Sequence, residues 1–92
     1  MKIIPITMVP YELLFIGARV VYINNVYLVR IGRVKLNEIG FIKTKHKNCF
    51  TVKWGNFHQS THHYNHTCLY LLHNKCKKLQ KIWKAAGMVI ID

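Results

Sequence analysis

The sequence predicts a mainly β fold, a small barrel of five to six short strands with one helix near the end of the chain. Three observations lead there. Runs of β-branched and aromatic residues recur with apolar residues at alternate positions. Glycine or asparagine punctuates those runs at short intervals. One stretch, residues 74–86, switches to helical spacing. At 92 residues the chain has room for one domain and not two, and its 51% apolar content suffices for a core.

Residues 1–16 read as an N-terminal arm. Pro5 and Pro10 push their predecessors out of helical geometry, so Met1 to Pro10 is expected to be extended. Tyr11 to Ile16 has room for one helical turn before Gly17. The barrel is assigned to residues 17–72. Arg19-Val20-Val21-Tyr22-Ile23 reads as a strand and Asn24-Asn25 as a turn. In Val26 to Leu36 the apolar parity changes near Gly32, with Val29 and Ile31 on one face and Val34 and Leu36 on the other. That pattern predicts a strand with a bulge or sharp bend at the glycine.

Asn37-Glu38 reads as a turn, Gly40 to Thr44 as a strand, and Lys45 to Asn48 as a hairpin turn. Cys49 to Trp54 returns, with Phe50, Val52 and Trp54 facing one way and Cys49, Thr51 and Lys53 the other. Gly55 to Thr67 is polar and rich in histidine, and reads as a long loop. Cys68 to Leu72 is a short apolar strand. Asn74 is placed to cap a helix through Ala86, stopped by Gly87. Leu79, Ile82, Trp83 and Ala86 share one face of it; Lys77, Lys78, Lys81 and Lys84 share the other. Residues 88–91 read as a final strand.

Ile16-Gly17-Ala18-Arg19-Val20-Val21, Gly40-Phe41-Ile42-Lys43, Phe50-Thr51-Val52-Lys53-Trp54 and Leu69-Tyr70-Leu71-Leu72 follow in order. This series resembles the SH3-like barrels of the KOW and Tudor type over Gly17 to Leu72. The resemblance implies an SH3-like barrel. A methyl-lysine-reading Tudor site needs a cage for a cation, and Glu38 is the only acid in the barrel region. The resemblance therefore implies the KOW-like direction, nucleic acid or a nucleoprotein complex.

Charge leads the same way. Fourteen Lys and Arg face three acids, Glu12, Glu38 and Asp92, for a net charge of +11. Such a surface attracts polyanions. The candidate contacts form two groups. One is borne by the barrel: Arg19, Arg30, Arg33, Lys35, Lys43, Lys45, Lys47 and Lys53. The other is the helix face with Lys77, Lys78, Lys81 and Lys84. Lys43, Lys45 and Lys47 are expected to project from the hairpin tip, unburied, and to make the principal phosphate contacts. Tyr22, Tyr27, Tyr64 and Tyr70 could stack on bases if exposed, but core packing is the expected role of each. The apolar helix face is expected to close one end of the barrel rather than to lie on a membrane.

Enzymatic classes fit poorly. Scattered carboxylates leave no acid pair and no acid to orient a Cys–His couple, and no glycine-rich phosphate loop is present. No cofactor is expected. His62, His66, Cys68 and Cys76 could offer zinc four ligands, but without a Cys-x2-Cys pair or a finger spacing the region reads as metal-free. The odd count of three cysteines is no disulfide framework. No apolar run reaches a membrane span, and residues 1–16 do not read as a signal peptide. The expectation is a non-enzymatic cytoplasmic domain that binds DNA or RNA by sequence-tolerant phosphate contacts. A composition rich in Lys, Asn, Ile and Tyr suits a small viral or phage regulator in the host cytoplasm. The alternative is a protein–protein adaptor or inhibitor docking its basic face on an acidic partner.

Overall fold

A computed structural model describes residues 3–24, 26–55, 58–72, 77–85 and 87. Its frame is one antiparallel sheet of six strands, curled into a half-barrel. The strands are β1 (Ile3–Pro5), β2 (Arg19–Val21), β3 (Gly40–His46), β4 (Cys49–Trp54), β5 (His58–His63) and β6 (Tyr70–Leu72), ordered β1-β6-β2-β3-β4-β5. The described residues also form two α-helices, α1 (Tyr27–Arg30) and α2 (Lys77–Ala85), and three short 3-10 turns. No helix among the described residues is long and apolar enough to cross a membrane.

The β4 alternation is as the sequence predicts. Phe50, Val52 and Trp54 are buried, and Cys49, Thr51 and Lys53 are half-buried on the other face. Lys47 and Asn48 both take positive φ, 46° and 63°, and make the two-residue turn joining β3 to β4. In α2, Ile82 and Trp83 lie in the core while Lys78, Lys81 and Lys84 are exposed. Gly87, at φ 74°, donates its N–H to Lys84 O and ends the helix. Asn74, Ala86 and the strand expected at residues 88–91 lie outside the described residues.

Three expectations are corrected. The arm is not an arm: Ile3–Pro5 pairs with β6 at the sheet edge, where a proline costs no ladder bond, and Ile4, Ile6 and Val9 are core residues. Tyr11–Leu13 does form one turn, of the 3-10 type. Val26 to Leu36 is not a bulged strand. Arg30 N donates to Val26 O and Ile31 N to Tyr27 O, forming one helical turn, and Gly32 at φ 77° lets the chain leave it. Val26, Leu28 and Val29 reach the core from this turn, and Val34 is buried beyond it. Tertiary burial here overrides the β preference of the residues. Finally, the histidine-rich segment contains strand β5, paired with β4 from Cys49↔His63 to Trp54↔His58. An edge strand has one open side, so it needs no apolar run.

The outer strands β1 and β5 do not pair with each other. The Tyr64 hydroxyl bridges the segments that follow them, donating to the carbonyls of Thr7 and Val9.

Candidate nucleic-acid interface

The sheet presents one row of side chains outward across four strands. Arg19 in β2 opposes Phe41 in β3, Phe41 opposes Lys53 in β4, and Lys53 opposes Gln59 in β5. Directly opposed residues share a face. Arg19 is exposed, Lys53 is half-buried along its stem, and Phe41 is 41% exposed. None of the six strands contains Asp or Glu. Two cations therefore flank an open aromatic ring, with no strand-borne carboxylate to offset them.

One residue along β3, the ladder slips. Ile42 opposes Val52 and Thr44 opposes Thr51, so Lys43 is an extra residue, a bulge. The slip reverses the face of everything beyond it. Lys45 becomes the partner of buried Phe50, on the inner face. Its ammonium donates to the carbonyls of Tyr11 (2.8 Å) and Leu14 (2.5 Å) and lies 4.4 Å from the Tyr11 ring centre. Partial burial lowers its pKa, against the opposing pull of Glu12. The expectation that all three tip lysines are unburied is thus corrected: Lys43 and Lys47 are exposed, and Lys45 ties down residues 11–14.

Two open clefts are lined by candidate cations, and the smaller adjoins the outward row. One, of about 200 Å3, is lined by Gly17, Arg19, Ile39, Gly40 and Phe41. The other, of about 300 Å3, is lined by Gly32, Arg33, Lys35, Glu38, Gly55 and His58. His58 opposes buried Trp54, so its side chain shares the inner face, opposite to that of Phe41. In the larger cleft Glu38 accepts the Lys35 backbone N–H at 2.9 Å. Gly40 is fixed by space: a Cβ there would lie 2.6 Å from the Trp54 ring.

The remaining candidates are dispersed. Arg30, Arg33 and Lys35 are exposed on the excursion between β2 and β3, and Lys78, Lys81 and Lys84 on α2. The Lys77 side chain lies outside the description. Of the four tyrosines weighed, Tyr22 is buried, Tyr70 is half-buried and Tyr64 is hydrogen-bonded, whereas Tyr27 is 66% exposed, contrary to expectation. Phe41 was the aromatic that sequence reasoning missed. Its place opposite Lys53 is set by register, and the only hint was its position between Gly40 and Ile42 in a strand.

Sequence reading also missed a partly buried polar network. Trp54 Nε1 donates to Ser60 Oγ at 2.7 Å, Ser60 Oγ lies 2.6 Å from His62 Nε2, and His62 Nδ1 lies 3.3 Å from the Tyr22 hydroxyl. The Ser60–His62 spacing is that of a nucleophile and its base. The third group, however, is a phenol rather than a carboxylate, and burial pushes its pKa up to about 12. Burial likewise pushes His62 down to about 4, so the ring is neutral. It packs 5.6 Å from the Phe50 ring centre. The network satisfies polar atoms at the edge of the core, as hydroxyl and imidazole groups withdrawn from water require. His66 is exposed on the turn after β5, away from the inward-facing His62, and no group of three metal-binding side chains forms among the described residues. Cys76 lies outside them, and Cys68 is exposed.

No family model matches this chain. Neither a curated protein nor a solved structure matches it either.

Proposed function

We propose that this protein is a non-enzymatic nucleic-acid-binding domain, an SH3-like barrel of the KOW type that grips phosphates without reading base sequence. The observation that carries the reading is the outward sheet face: Arg19, Lys43 and Lys53 surround Phe41, and no strand supplies a carboxylate. A cationic field that cannot cancel locally favours a polyanion. Arg30, Arg33, Lys35 and Lys47 add exposed cations elsewhere on the surface, and Lys78, Lys81 and Lys84 form a second group on α2. Lys45 is spoken for by two carbonyls and contributes little. The composition suits a viral or phage regulator of this kind, acting in the host cytoplasm.

Binding of random-sequence oligonucleotides across a salt series tests this. The logarithm of affinity should fall linearly with that of salt, with a slope indicating roughly three or more phosphate contacts. Absence of binding at about 50 mM salt would overturn the reading and leave the acidic-protein adaptor in its place.

A further inference from the structure

We infer that the nucleic acid taken by this face is single-stranded, with an unpaired base stacked on Phe41 and its flanking phosphates held by Arg19 and Lys53. The inference rests on the binding reading above and narrows it. Phe41 is a partly exposed aromatic ring in the middle of the outward row, with a cation on the strand to either side. That is the pairing single strands need, an aromatic face for a base and positive charge for the backbone. A duplex has its base faces already stacked, so it could use the cations but not the ring.

The cleft lined by Gly17, Arg19, Ile39, Gly40 and Phe41 lies beside that ring and offers the backbone a place next to the Arg19 guanidinium, with Lys53 on the other side of the ring.

The test compares four probes by fluorescence anisotropy at one salt concentration: oligo(dA), the oligoribonucleotide of the same sequence, an abasic oligodeoxynucleotide of equal length, and a duplex. Both base-bearing single strands are expected to bind more tightly than the abasic strand. Phe41→Ala should weaken them roughly 5- to 150-fold, the range of one base–aromatic stack, while leaving the abasic strand and the duplex unchanged. Phe41→Trp should restore binding, and its added indole fluorescence should be quenched by oligo(dA) and not by the abasic strand. Arg19→Ala with Lys53→Ala should weaken all single strands, including the abasic one. Melting temperatures of the variants confirm that each is folded. Equal affinity for oligo(dA) and the abasic strand, or equal losses of single strand and duplex in Phe41→Ala, overturns the inference while the broader reading stands. Failure of every probe to bind overturns both.

Discussion

Lys45 Nζ lies 2.5 Å from the carbonyl oxygen of Leu14, thirty-one positions earlier in the chain. This bond, with its companion to Tyr11, joins the hairpin to the segment leading into β2. It exists because the bulge at Lys43 turns Lys45 inward.

Lys45→Ala is therefore expected to act on stability. Losing two charge-assisted bonds and leaving two carbonyls without their donor should cost about 1–3 kcal/mol. Lys43→Ala and Lys47→Ala, at exposed positions, should change stability by less than about 0.5 kcal/mol. Urea unfolding of the three variants checks this; equal midpoints would show that Lys45 carries no structural role.

Trp54 is 1% exposed, stacks 5.4 Å from the Tyr22 ring centre, and donates to Ser60. Trp54→Ala should cost roughly 3–5 kcal/mol, a large part of the stability of so small a domain. Gly40→Ala should harm the same place from the opposite direction, because its methyl would meet Trp54, Val52 and the Lys53 carbonyl within 3.0 Å. Overpacking of this kind costs about 1–3 kcal/mol. Thermal melts that match the wild type in either variant would contradict the packing described.

The His62 ring should make stability fall in mild acid. Burial holds its folded pKa at about 4, below the ordinary 6.5. Above pH 6.5 both folded and unfolded states carry the neutral ring, and the contribution is complete. As pH falls from 6.5 toward 4 the unfolded chain takes up the proton and the folded one does not, so stability is lost in that window. The full linkage is about 3 kcal/mol, reduced to roughly 2 by solvent at the ring's open edge. Denaturant titrations between those pH values should show a steeper decline for the wild type than for His62→Gln. Parallel curves would mean that the ring titrates normally.

The two cationic groups should differ in salt dependence. Arg19→Ala with Lys53→Ala should lower the slope of log affinity against log salt by up to about two, one unit for each phosphate no longer neutralised. Lys78→Ala with Lys81→Ala should lower it by less, because α2 turns its other face into the core. The reverse order would move the interface to the helix.

Some of this was legible in the residues and some was not, and the division follows the range of the forces involved. The β4 alternation, the turn before it and the two faces of α2 depend on neighbours two to four positions away, so Phe50, Trp54, Trp83 and the exposed lysines could be placed from spacing alone. Net charge needs no structure at all. Residues 26–36 show where local reading ends: their side chains suit a strand, and one helical turn prevails because it carries Val26, Leu28 and Val29 to a core built by distant segments. Strand β5 has no apolar run to announce it, and exists because the open edge of β4 offers it backbone partners. The site itself hinges on a one-residue slip. Whether a lysine in β3 meets solvent or the carbonyls of Tyr11 and Leu14 depends on the register with β4, and register is a property of paired strands, not of either one. The same pairing set Phe41 between Arg19 and Lys53, residues more than ten positions away on either side that only the folded sheet brings into one row.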